Sequence, residues 1–224
     1  MLCGALQQEF ADAVILLVRV GARMPANVAA CMGHKKSRSE RIMETKQMSA
    51  QDTLAQWQEA ERLARARLGG PGVATLAQLS ERAGLQFFED MLAGKLPGAP
   101  IAQLMDFFPV EFDAGRFVFQ GTPGPQHYNP IGSVHGGYAA TLLDSCVGCA
   151  VHTMLPPGKG YTTLELKVNY VRPLTAKTGP IRAEGKVISL TTQIGIAEGR
   201  IVDTQGKLYA YATTTCLVFP MPAG

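Results

Sequence analysis

Apolar positions keep a helical period in the first half of the chain and a two-residue period through much of the second. Leu54, Trp57, Glu61, Ala64 and Leu68 fall on one helical face, preceded by the capping-box-like run Ser49-Ala-Gln-Asp-Thr53, with Asp52 at the third helical position. That spacing predicts a helix over 49–68, stopped by Gly69-Gly-Pro-Gly72. A second helix is expected over 80–93, with Leu85, Phe88 and Leu92 on one face and Gly94 as C-cap. Leu96-Pro-Gly-Ala-Pro100 reads as a linker, followed by a helical turn at 101–105. Strands are expected at Phe108–Phe112 and Phe117–Gln120 around a turn at Asp113-Ala-Gly115. A helix over 134–155 interrupts them and ends at Pro156-Pro-Gly158. Leu164, Leu166, Val168 and Tyr170 then alternate with Thr163, Glu165, Lys167 and Asn169, predicting a half-buried strand over 162–170 with one wet face. Further strands fit 181–190, 194–202 and 208–219, the last pair joined through Asp203-Thr-Gln-Gly206. One antiparallel sheet packed on one helix, an α+β architecture, is the expected fold class.

Residues 1–48 lack sustained periodicity and include the basic run His34-Lys-Lys-Ser-Arg-Ser-Glu-Arg41. They are read as a poorly structured extension, with Met43 and Met48 as alternative starts. A helical segment at 49–78 and a main domain at 79–220 complete the expected organisation. The 224 residues, 46% of them hydrophobic and 17% charged, suit a globular protein with a sizeable core. A net charge of +3 without a basic, aromatic-interleaved stripe argues against nucleic acid, while leaving a mild pull on polyanionic ligands. Five scattered cysteines make a poor disulfide framework and suggest a reducing, cytoplasmic setting. The apolar run Ala13–Val18 is too short to cross a bilayer, and no membrane partner is expected.

The helix after His135 carries the candidate chemistry. At 100° per residue, Gly137, Ala140, Thr141, Asp144, Gly148 and Val151 share one face, with Leu142, Leu143, Cys146 and Ala150 roughly opposite. Asp144 is the only carboxylate between Val134 and Leu155, so this face is not an ordinary charged, solvated one. Gly136 and Gly137 open the helix where free N–H groups and the positive dipole end can hold an oxyanion. Asn129 adds a neutral donor and acceptor six positions before His135, though a turn before Pro130 explains it equally. Cys146-x2-Cys149-x2-His152 has the look of a metal cluster. Along one helix, however, its ends lie about 9 Å apart, too far for one zinc ion. No metal is expected, and these cysteines are read as core.

Asn129-x5-His135-Gly136-Gly137-x6-Asp144, followed by Tyr161-Thr-Thr-Leu-Glu-Leu-Lys-Val-Asn-Tyr-Val-Arg-Pro173, resembles the hotdog-fold acyl-CoA thioesterases of the phenylacetic-acid-degradation type. Ala183-Glu-Gly185 and Ala212-Thr-Thr-Thr215 extend the likeness, which covers 79–219. The resemblance implies a curved antiparallel sheet wrapped around a central helix, in homodimers or dimers of dimers. It places the catalytic carboxylate on Asp144, the oxyanion N–H on Gly136 and the orienting amide on Asn129. The assisting hydroxyl falls on Thr162, with Thr163, Gly137 and Tyr138 beside the substrate and His135 holding the loop. Gly148, where some relatives have threonine paired with a glutamate, favours the aspartate arrangement. Ser189-Leu-Thr-Thr192 replaces a Gly-Arg turn common in relatives, so the likeness assigns no coenzyme A phosphate contact there.

Gly136 and Asp144 lie eight positions apart, about 12 Å along one helix. Donor and carboxylate must both come within about 3 Å of the reacting atoms, so an antiparallel helix from a second copy is expected to complete each site. The expected reaction is hydrolysis of an acyl-CoA thioester, coenzyme A being part of the substrate and no other cofactor needed. Asp144 would act as nucleophile or as general base. A non-catalytic acyl-CoA-binding module and an enoyl-CoA hydratase are the alternatives. The hydratase is disfavoured because His135 sits before two glycines and not beside an acid.

Overall fold

In the computed structural model, which describes residues 49–222, Ser49 caps helix α1 (Ala50–Arg67) as its sequence suggests. Its Oγ accepts from the Asp52 N–H at 3.1 Å, while Asp52 accepts from the Ser49 N–H at 3.3 Å. The expected 1–48 extension, with Cys3, Cys31 and the basic run, lies outside the described residues.

The helix expected over 80–93 is shorter, α3 (Gly84–Leu92), and a separate helix that the sequence reading did not name, α2 (Leu76–Ser80), precedes it. A capping box at Thr75 and Gln78, present in the sequence but unused in the reading above, starts α2. The chain breaks before α3 because that helix docks end-on against the main helix. The Gly84 N–H donates to Leu155 O at 2.9 Å, and a Cβ at Gly84 would stand 1.7 Å from His152 O. The buried face of α3 is Gly84, Phe88 and Met91, while Leu85 and Leu92 are half-buried. Gly94, at φ 71°, follows its C-cap.

After α4 (Pro100–Leu104), β1 (Phe107–Asp113) and β2 (Arg116–Gly121) form a hairpin about Gly115. Helix α5 (Gly136–His152) is shorter at both ends than the expected 134–155. Strands β3 (Lys159–Tyr170), β4 (Ile181–Leu190), β5 (Ile194–Asp203) and β6 (Leu208–Pro220) follow. All neighbours are antiparallel, in the order β1-β2-β4-β5-β6-β3, which leaves β1 and β3 at the edges. Leu142, Leu143, Cys146, Val147 and Ala150 are completely buried on α5, packed with Ile181, Ala183, Ala197 and Ile201 from the sheet. This is the hotdog arrangement that the resemblance implies.

Helix α1 lies on the opposite face of the hairpin. Phe117 and Phe119 join the core beneath the sheet, yet the alternating Val118 and Gln120 are buried as well. Gln120 Nε2 donates to Trp57 O at 2.9 Å, and the Arg182 guanidinium lies 4.6 Å from the Trp57 ring centre. Both faces of β2 are therefore covered, and this strand loses the wet side usual in an antiparallel sheet.

Strand β3 departs from the simple alternation read in its sequence. Thr163 pairs with Cys216 and Glu165 with Thr215, leaving Leu164 as an extra residue in a bulge. Tyr161 and Thr163 before the bulge, and Leu166 and Val168 after it, thus face α5 together. Leu164, expected inside, is 58% exposed.

Candidate active site

The bulge decides which hydroxyl meets the carboxylate. Thr163 Oγ1 donates to Asp144 Oδ1 at 2.9 Å, whereas Thr162, to which the resemblance gave the assisting hydroxyl, is exposed on the other face. This corrects the assignment: one extra residue reverses the side on which each side chain emerges. Asp144 itself is half-buried and forms no ion pair among the described residues.

Asp144 belongs to a strip that is half-open from Gly137 to Ser145 and closes beyond it. Gly148 is covered by the Tyr161 ring, whose nearest atom would lie 2.8 Å from any Cβ at that position, and Val151 is fully buried. Glycine at 148 is thus a requirement of close packing between α5 and β3. The strip accordingly offers a ligand only its N-terminal half.

At the start of α5, the His135 imidazole is the N-cap, with Nδ1 accepting from the Gly137 N–H at 2.8 Å. Its proton is thereby assigned to Nε2. The His135 N–H donates to His127 O at 2.7 Å, tying the loop to the preceding turn. Gly137 is therefore occupied by the cap, while the neighbouring Gly136 N–H meets no acceptor among the described residues. That donor stands at the positive end of a 17-residue helix. Tyr170, not singled out from the sequence, places its hydroxyl 3.1 Å from Gly136 O and its ring against the Gly136 Cα.

Asn129 is spent largely on its own turn. Its Oδ1 accepts from the N–H groups of Ile131 and Ser133, at 3.2 and 3.1 Å, and its Nδ2 donates to Ser133 Oγ at 3.0 Å. This leaves one amide hydrogen available. Asn129, Ser133, His135, Gly136 and Tyr170 together line a cleft of ≈ 320 Å³. Tyr138, expected beside the substrate, is absent from that lining. Its ring is buried and stacks on His127 at 4.2 Å between centres. The reason is helical geometry: position 138 turns toward β2, where its hydroxyl lies over Gly121.

Within one chain the two candidate elements stand apart. Gly136 and its cleft lie at the N-terminus of α5, and Asp144 with Thr163 lies two turns on, about 12 Å along the axis. Of the cysteine–histidine series, Cys146 is wholly buried, while Cys149 and His152 line a different, apolar cavity. Among the described residues, no group of three His, Cys, Asp or Glu side chains could hold a metal ion.

Residues 131–210 match the family model described as thioesterase superfamily. A candidate esterase from Halobacterium salinarum is 38% identical over 73 residues, spanning 32% of this chain and 46% of the relative. The chain thus spans about half the length of that relative. One from Saccharolobus solfataricus is 30% identical over 113 residues, covering 50% of this chain and 78% of its own length. Among solved structures, a candidate thioesterase related to phenylacetic acid degradation from Ralstonia eutropha superposes with TM-score 0.54 at 28% identity. It covers 58% of this chain and 98% of its own. With the sheet wrapped on its helix and the His135-Gly136-Gly137 start inside the matched region, the chain belongs to the thioesterase superfamily.

Proposed function

We propose that the protein hydrolyses an acyl-CoA thioester to a carboxylic acid and coenzyme A, at sites each shared by two copies of the chain. The observation that carries this reading is the lone helix carboxylate, held by Thr163 at 2.9 Å and facing a strip without bulky side chains. The Gly136 N–H, without an acceptor among the described residues, supplies the complementary element, a donor for the oxygen that becomes anionic as the thioester carbonyl is attacked. In this reading Asp144 attacks the carbonyl directly or deprotonates a water. The Thr163 hydroxyl fixes the carboxylate oxygen it touches and leaves the other free to react. Asn129 orients water or carbonyl with its remaining amide hydrogen, and His135 keeps the Gly136 peptide aimed by capping the helix.

Sharing between copies follows from the separation along α5, since one carbonyl cannot touch both Gly136 and Asp144 of one subunit. Edge strand β3 supports it. Among the described residues this strand is unpaired on its outer side, with Leu164 58% and Tyr170 57% exposed. A two-fold pairing through such an edge would set two α5 helices antiparallel.

Thiol release from a panel of acyl-CoAs, followed with a disulfide reagent, tests the activity. Wild type is expected to turn over and Asp144→Asn and Asp144→Ala to fold but lose most turnover. Full activity in both variants would overturn the assignment.

A further inference from the structure

Strand β3 runs along α5 in the opposite sense and touches it at three points in turn: Tyr161 at Gly148, Thr163 at Asp144 and Tyr170 at Gly136. The first closes the helix surface and the second holds the candidate carboxylate. The third reaches the helix start, whose N–H is the candidate oxyanion donor. Tyr170 follows Leu166 and Val168 at two-residue spacing after the bulge, which puts its side chain on the α5 side of the strand. Its hydroxyl donates to Gly136 O at 3.1 Å, and a Cβ at 136 would lie 3.1–3.2 Å from the ring. The main chain carrying that ring is fixed. Tyr170 pairs with Ala210 of β6, and the N–H groups of Val171 and Arg172 both donate to Tyr209 O, at 2.8 and 3.1 Å. The loop entering α5 is tied to the same segment, with the Val134 N–H donating to Leu174 O at 3.1 Å.

Glycine at the first position of a helix is the residue least able to hold its own peptide plane. Its N–H has no carbonyl one turn earlier to bond, and the His135 cap fastens the N–H of Gly137 instead. The restraint on Gly136 therefore comes from outside the helix. We propose that Tyr170 is a positioning residue for the reaction: it fixes the Gly136 peptide so that the N–H meets the oxygen on which charge develops. The inference rests on the reading of Gly136 as oxyanion donor and adds the group that aims it. Tyr170 touches no reacting atom in this scheme. It keeps the donor preorganised, which counts for more in the transition state than in the bound thioester. Glycine and tyrosine thus act as a unit, since a side chain at 136 would crowd the ring that steadies the helix start.

The test is a set of double-variant cycles read as kcat and KM in the thiol-release assay. Tyr170→Phe removes only the hydroxyl of an exposed ring and should lower kcat about 3- to 10-fold with KM unchanged. Tyr170→Ala, which also takes the ring from the glycine, should lower kcat by about 100-fold. In the Gly136→Pro background, where no N–H remains to aim, Tyr170→Phe should cost nothing further. In Thr163→Val, which acts on the carboxylate, its loss should multiply with the one already there. Wild-type kcat in both Tyr170 variants, or equal losses in the Gly136→Pro and Thr163→Val backgrounds, overturns the positioning role and leaves Gly136 as donor. A change confined to KM overturns it too, and assigns Tyr170 to substrate binding. Wild-type kcat in Gly136→Pro overturns the donor reading itself, and absence of thiol release from every acyl-CoA overturns the hydrolase reading.

Discussion

Thr163 and Asp144, nineteen positions apart, are joined by a 2.9 Å hydrogen bond because a bulge at Leu164 turns Thr163 toward α5. A hydrogen bond to a charged group contributes about 1.5–3 kcal/mol, so Thr163→Val should lower turnover by about 10- to 100-fold. Thr163→Ser should recover most of it. Thr162→Val, on the exposed face, should stay near wild type. Steady-state kinetics of the three variants read this directly, and equal losses at 162 and 163 would contradict the orientation.

Gly136→Pro removes the N–H proposed as oxyanion donor at a helix position where proline is well tolerated. The nearest atoms to a Cβ at this position are outer ring atoms of Tyr170, 3.1–3.2 Å away on an exposed side chain. kcat should fall about 10²- to 10³-fold with the circular dichroism spectrum retained.

Mixing Asp144→Asn with Gly136→Pro after joint unfolding and refolding tests the sharing of sites. If each site takes Gly136 from one copy and Asp144 from the other, half the dimers are mixed and each holds one intact site, restoring about a quarter of wild-type activity. Sites confined to one subunit would give no recovery.

His152 makes stability depend on acidity. Burial depresses its folded-state pKa to about 4 from 6.5. Between those values the unfolded chain binds a proton that the folded one refuses, so stability falls as pH drops from 6.5 toward 4, by at most about 3 kcal/mol. Urea unfolding across that range should show the slope, and His152→Phe should flatten it.

Trp57→Ala should cost about 3–5 kcal/mol, since a buried ring between α1 and the hairpin is lost together with its contact to Arg182. Gln120 keeps its backbone acceptor in this variant, so no buried amide is orphaned. Urea melts of the variant measure the loss, and the rate with acetyl-CoA should change little at temperatures where the variant stays folded.

Local sequence determined the parts whose cause is local. Ser49 and Asp52 set the start of α1, His135 and two glycines set that of α5, and the boundaries of β4 could be read from its own residues. The lone acid on a small-residue strip also stood out, because helical periodicity alone places Asp144 among Gly137, Thr141 and Gly148. Three features were not legible, each because it depends on a distant partner. The break before Gly84 exists so that α3 can dock on His152 and Leu155, about seventy residues away. Burial of both faces of β2 needs Trp57 of α1 lying over it. The bulge at Leu164 appears only when β3 is laid against β6, and a strictly alternating sequence gives no sign of it. The sequence alone thus determined that Asp144 stands on the open strip of α5. The tertiary structure decided that Thr163 and not Thr162 meets it, because pleat direction is a property of paired strands.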